Sequence, residues 1–526
     1  MGIALLTNHF ICLLSAQAQL SSPPQFYVSR NGDNTDGKSW KTAWNEMNQI
    51  NYNAVLAANN TNLNGAPYTG VAFNEFINVV INIDGGPQGS FMVYHTPLTL
   101  QPMGDDPYKT YPLIRVANYS ADRALHGGQV ILDGSQDTSG KPGIDASFSD
   151  SWFIWGSDGY GANWPNQNGG AETGIILTNW PVGVFQSGFA YLWLDGLTID
   201  HCGVAVLTSN LQDMPSMVVG GKRLNVTATT AGHAGSGLHI QNCWFKDSTD
   251  LNYHSLLWTS TTTNGTFAPS DDFPYGYPSV EGGCLFSICD SNLVGQIDGL
   301  TYNNATGQGT NEWYLVRGSV IGSGLNNGIV LNQSGGDVYV DGSMFLDCQG
   351  ANVVKHVAGD NTVVYVDCST SVMTPLNAAG QAHSLLDIVE GANDKFVCVS
   401  ANGGNVLIQG NRNMGTIVHQ INTTGNTVLL SPTLIDDQFN TNPALLSNAI
   451  DPMTLLTLDF GMPGGVNGGN WAPNLNAKEA AYQRNPLSNS MFQPMGSGDA
   501  LVGLAPGTPL GTGFATGYVP GSGGGG

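Results

Sequence analysis

Charge is what this chain has least of. Only 10% of its 526 residues are Asp, Glu, Lys or Arg, against about 25% in ordinary soluble domains. Positive charge is scarcest: 16 Lys and Arg stand against 39 Asp and Glu, a formal net charge of -23. A nucleic-acid surface needs a stripe of cations to replace counterions on the phosphates. Here the cations are few and scattered, which excludes nucleic acid as a partner. Long apolar runs are missing too. Nothing approaches the about 18 consecutive apolar residues that span a bilayer, so no membrane span is expected. The eight cysteines form no Cys-x-x-Cys metal pattern, and no metal or cofactor is expected on that ground. No Gly-x-Ser-x-Gly elbow precedes a helix, and the Gly-rich tail has no phosphate-loop form.

What is present is a recurring phrase. It reads LWLDGLTIDHC from Leu192 to Cys202, LHIQNC from Leu238 to Cys243, VYVDGSMFLDCQG from Val338 to Gly350 and VVYVDC from Val363 to Cys368. Strand-length apolar segments separated by Gly, Asn, Ser and Asp turns, at a period of roughly 20–30 residues, mark a solenoid. The 70 glycines and the low charge fit stacked coils. Like charges in register would repel, whereas amides and hydroxyls can ladder. Cys202, Cys243 and Cys348 occupy similar places in the phrase and predict an interior row of thiols acting as small apolar groups. Cys284 and Cys289 are the pair most worth testing for a bridge.

The organisation along the chain follows. Residues 1–20 form a hydrophobic N-terminal segment, read either as a signal peptide or as a docking peptide. Residues 21–135 are an N-terminal cap with the first coils. Trp40, Ala43, Trp44, Met47 and Ile50 follow helical spacing behind Ser39 as N-cap, which predicts a capping helix over the open end. Val79 to Ile83, Leu113 to Val116 and Val130 to Leu132 read as the first buried strands. Residues 136–440 are the coils proper, with two long aromatic excursions at 136–173 and 247–283. Residues 441–526 are an irregular, Gly/Pro-rich C-terminal arm.

The opening FYVSRNGDNTDGKSWKTAWNEMNQIN, followed by INVVINIDGG, PLIRVANYS and GGQVILDGS, resembles the start of right-handed parallel β-helix proteins of the pectate-lyase-like superfamily, both secreted bacterial and phage tail-spike-like members. The resemblance spans roughly residues 25–440. It implies an all-β fold, a right-handed parallel β-helix. It also implies a choice of roles among polysaccharide lyases, glycoside hydrolases, adhesins and trimeric tail spikes. Ile199-Asp200-His201-Cys202 is similar to a short pectate-lyase motif near a calcium-dependent cleft, so Asp200 and His201 carry over as catalytic candidates. The arginine base of those lyases has no recognisable counterpart, since Arg223 and Arg317 lie outside companion motifs. Calcium is implied only under the lyase reading.

Glycoside hydrolysis needs two carboxyl groups across one sugar, about 5–9.5 Å apart. Asp271 and Asp272 are the candidates within an aromatic loop. An enzyme of either kind predicts carboxylates converging near Asp200, Asp247 or Asp271. For glycan contact, Trp152, Trp155, Tyr160, Trp164, His254 and Trp258 offer ring faces for sugar C–H groups and polar edges for hydroxyls. The leading expectation is a structural or adhesive protein, extracellular or on a virion surface. It would present loops to a glycan or cell-surface receptor, as a homotrimer or within a larger assembly. A polysaccharide lyase or glycoside hydrolase is the alternative.

Overall fold

The structure is a computed structural model. It describes residues 24–62, 77–101, 111–116, 123–147, 151–156, 174–187, 191–209, 217–226, 238–261, 279–281 and 284–304, and with interruptions 313–435. The fold is all-β and built on parallel sheets. Three long ladders carry it, of 12, 11 and 10 strands, and the chain visits them in rotation. One rotation runs Tyr191–Asp195 in the first ladder, Leu197–Asp200 in the second and Val204–Ser209 in the third. The next runs Leu238–Gln241, Trp244–Lys246 and Ser255–Thr261. Each strand pairs in parallel with its counterparts one rotation away. The single antiparallel pair among the described residues is a short hairpin, Val218–Val219 with Lys222–Arg223.

Alternation along each strand explains the core. Side chains on a strand point to opposite faces by turns, and strict register then stacks like upon like. In the first ladder Ile114, Ile154, Leu194, Ile240, Val280, Val316 and Val340 follow one another in register, and all are buried. In the second, Leu177, Ile199, Phe245, Phe286, Ile321 and Phe345 form the equivalent column. There the rings of Phe245 and Phe286 lie 4.8 Å apart. A fully buried aliphatic or Phe side chain contributes about 1.5–3 kcal/mol, so these columns dominate the stability of the stack.

The expected strands over Val79 to Ile83, Leu113 to Val116 and Val130 to Leu132 are present within Ile77–Ile83, Tyr111–Val116 and Gln129–Asp133. The expected helix over Trp40 to Ile50 is not. Trp44 instead bridges Val28 in parallel, its N–H donating to the Tyr27 carbonyl at 3.1 Å. Its ring stacks on Phe26 at 5.4 Å. The aromatic spacing there belongs to a folded-back run of turns and bends that ends in a 3-10 turn at Met47–Gln49. The longer of the two described α-helices comes later, at Tyr52–Asn62. It is capped by Asn51, whose Oδ1 accepts the Ala54 N–H at 3.2 Å, and it buries Val55.

Close approach governs one turn beside this end. Gly85 and Gly128 face each other so tightly that a Cβ on either would collide with the other's carbonyl oxygen. No helix among the described residues is long and apolar enough to cross a membrane.

The two aromatic excursions are shorter than their sequence suggests. Ile144–Ala146 and Ser151–Trp155 are ladder strands inside the first. Ser255–Thr261 and Ser279–Glu281 are ladder strands inside the second. The C-terminal arm, 441–526, and the N-terminal segment, 1–20, lie outside the described residues.

Candidate functional site

Two corners flank the second ladder, and each is made by a residue in the left-handed region. At the entry corner these are Gly196 (φ 72°) and Asn242 (φ 50°); at the exit corner they are Asn179 (φ 62°), His201 (φ 50°) and Asp247 (φ 52°). Asn, Asp and His tolerate this conformation better than other non-glycine residues. The same turn repeated in register aligns the side chains of successive rotations. Corners are therefore where residues about one rotation apart in sequence come together.

The entry corner is sealed. Asp195 is 2% exposed. It accepts the Gln241 side-chain amide at 2.9 Å through Oδ2 and that of Asn242 at 3.0 Å through Oδ1. Beneath it lie the buried thiols of Cys243 and Cys284. Cys243 Sγ donates to the Gln241 carbonyl at 3.1 Å, and burial pushes both its pKa and that of Cys202 up, Cys202 to about 12. The thiols do act as small apolar groups, but the expected single row is two. Cys243 and Cys284 precede second-ladder strands, whereas Cys202 and Cys348 follow them. Cys284 and Cys289 are not bridged: one is buried and the other exposed.

The exit corner is open and ionic. Asp200 ends one second-ladder strand, in register with Lys246 at the end of the next. Lys246 Nζ lies 2.9 Å from Asp200 Oδ2, and His201 Nδ1 lies 2.6 Å from Asp200 Oδ1. Desolvation lowers the Lys246 pKa, but the hydrogen bond and charge of Asp200 outweigh it and leave the ammonium's pKa raised. The same ammonium sits 5.0 Å over the Trp244 ring. Asp247, 1% exposed, uses Oδ1 to accept the Cys289 and Asp290 N–H groups at 2.7 and 2.8 Å. Ligand-type atoms of Asp200, His201 and Asp247 lie within 4.8 Å of one another. Cys289 is the exposed thiol of this corner. Partial desolvation and the Asp247 charge raise its pKa despite Lys246.

The convergence expected near Asp200 and Asp247 therefore occurs, but not in hydrolase form. One carboxylate is held by Lys246 and His201, and the other is buried under a turn. Calcium also fits poorly. It takes six to eight oxygen ligands, and here a histidine, an ammonium and a carboxylate oxygen committed to two backbone N–H groups stand in their place. Arg223 lies in the antiparallel hairpin and Arg317 on a first-ladder strand in register with Asp341. The lyase arginine is thus not in the strands of this corner.

The aromatic candidates separate by face. Trp152 is not on a loop. It is 1% exposed, on an inward position in register with Leu192. Its Nε1 donates to the Gln101 carbonyl at 3.0 Å, and its ring meets Tyr52 edge-on at 5.8 Å. It is core, not a sugar platform. Trp155 is half-buried on the outer face of the first ladder, 6.2 Å from Phe153. Trp258 is half-buried on the outer face of the third ladder, edge-on to Tyr253 at 5.2 Å. His254 is exposed at the entry to that ladder, with φ 51° and Nδ1 3.2 Å from the Gln296 carbonyl. Tyr160, Trp164, Asp271 and Asp272 lie outside the described residues. Sequence reasoning missed Lys246 as the partner of Asp200. Asp200 and Lys246 each end the second-ladder strand of their rotation, one position before a left-handed residue, and that shared phase was the available signal.

Comparison with protein-family models, with curated proteins and with solved structures returns no match to this chain.

Proposed function

We propose that this chain is a right-handed parallel β-helix with a structural and adhesive role. It would be exposed outside a cell or on a virion, presenting loops to a glycan or receptor from a homotrimer or larger assembly. The observation that carries this reading is the rotation of the strands through three parallel ladders. Parallel strands joined by crossovers wind right-handed in about 98% of cases, and a stack of this kind is a rigid rod suited to display. Two further features support it. Cations are few, 16 Lys and Arg in 526 residues, and the exit-corner cluster spends its charges on internal pairs.

Sedimentation of the full chain, with binding to an array of host-surface glycans, tests the proposal. A side-by-side oligomer that retains specific glycans is the expected result. A stable monomer that binds none and cuts a polymer overturns it.

The convergence of Asp200 and Asp247 favours one second reading, a polysaccharide lyase or glycoside hydrolase acting at the exit corner. A panel of polysaccharides assayed for new reducing ends and for absorbance of unsaturated products, with and without calcium, decides it. Cleavage abolished by Asp200→Asn would establish this reading; no cleavage of any polymer would remove it.

A further inference from the structure

The exit corner gathers, from two successive rotations, a mixed set of ligands that the adhesive reading does not use. Asp200 and His201 come from one rotation and Asp247 from the next. The register of Asp200 with Lys246 fixes their spacing, and the matching left-handed turns at His201 and Asp247 align the side chains. We propose that Asp200, His201 and Asp247 form a binding site for a divalent transition metal of the zinc, cobalt and nickel class, which competes with the Lys246 ammonium for Asp200.

Four observations carry this. First, the three ligand-type atoms already lie within 4.8 Å of one another. Atoms bound to one tetrahedral ion at about 2.0–2.2 Å stand about 3.3–3.6 Å apart, so side-chain rotations must draw the set in by up to about 1.5 Å. Second, the donors are one imidazole and two carboxylates. This is a borderline set that suits zinc and its neighbours and not calcium or magnesium, which take oxygen alone.

Third, Asp247 is oriented for the task. It is 1% exposed, and its Oδ1 is anchored by the N–H groups of Cys289 and Asp290. Such outer contacts fix a ligating carboxylate in place and leave Oδ2 to bind. Fourth, a cation is already there. Lys246 Nζ lies 2.9 Å from Asp200 Oδ2, and the Trp244 ring lies 5.0 Å from the same ammonium. When a metal takes Asp200, the ammonium can stay over the indole face, where cation–π attraction retains it. The ammonium competes with the metal for Asp200, and its retention over the indole limits what that competition costs.

The metal would pin two consecutive rotations together at the corner that charge leaves open. Titration of the full, untagged chain with cobalt(II) is the test, read by the visible absorption of the bound ion. The expected result is one site per chain, with calcium failing to displace cobalt at equal concentration.

Two variants sharpen the test. His201→Asn keeps a residue suited to φ 50° and removes the imidazole; it should weaken cobalt binding by at least about tenfold. Lys246→Met removes the competing ammonium and leaves all three ligands. It should tighten binding by up to about fivefold, equivalent to the ~1 kcal/mol upper end of a part-exposed ion pair. Adventitious binding at a surface histidine predicts no gain from Lys246→Met. Unchanged affinity in either variant, or displacement by equal calcium, overturns the proposal. Circular dichroism of each variant establishes that the fold is intact, and Lys246→Met touches no proposed ligand. The outcome is independent of glycan binding or polymer cleavage, so failure here leaves both of those readings standing.

Discussion

The two corners of the second ladder use one backbone device for opposite ends. Both turn on a residue at φ near 50–70°, and both stack like positions of successive rotations. At the entry corner the stacked groups are a carboxylate and two side-chain amides, closed over buried thiols. At the exit corner they are two carboxylates, an imidazole and an ammonium, with the His201 side chain 46% exposed. The difference lies in burial and charge, not in the turn. A left-handed residue sets the geometry, and its neighbours decide whether the corner is a seal or a surface that can exchange partners.

The largest effect expected from this contrast is at the seal. Asp195→Ala removes the acceptor of the buried Gln241 amide and of the part-buried Asn242 amide. A stranded buried donor costs about 1–3 kcal/mol and a part-buried one less, so the loss should be about 2–3 kcal/mol in urea unfolding. A loss under about 1 kcal/mol would mean that water reaches the entry corner, and that the two corners do not differ as described.

Histidines sharpen the comparison next. His239 sits on the strand leading into the entry corner and is 8% exposed. Burial lowers its pKa from 6.5 to about 4. Between those values the unfolded chain takes up a proton that the folded chain refuses, so the unfolded state gains on acidification. Stability is fully present above pH 6.5 and falls as pH drops toward 4, by up to about 3 kcal/mol. Urea midpoints across that window in the native chain and in His239→Phe, which keeps a ring beside Trp193, provide the measurement. An equal acid slope in both chains would show that other groups carry the effect.

How much of this was legible in the sequence depends on distance along the chain. The alternation in LWLDGLTID and LHIQNCWFK places Leu194, Ile199, Ile240 and Phe245 inside, and the structure has them there. Trp152 was misread because aromatic residues crowd its neighbourhood. Only its register with Leu192 reveals that it faces inward. Trp44 was misread for a related reason, since a bridge to Val28 overrides helical spacing. The exit corner was half legible. Asp200 and His201 are adjacent in the chain, but their meeting with Lys246 and Asp247 depends on how many residues the intervening loop spends before the next rotation. Local pattern carries no such count.

The smallest effect belongs to the open corner, and its smallness is the point. Asp200→Ala, measured with a chelator present, removes an ion pair whose two side chains are 22% and 21% exposed. Such pairs are worth about 0–1 kcal/mol and weaken as salt rises. Lys246 keeps the Trp244 face, so its ammonium is not stranded. The expected loss in urea unfolding is under about 1 kcal/mol at low salt, shrinking toward zero near 1 M salt. The Asp195→Ala loss, which comes from stranded neutral amides, should barely move with salt. If Asp200→Ala costs as much as Asp195→Ala and resists salt, the exit corner is a second seal. A site that seals the fold cannot give up Lys246 to another cation.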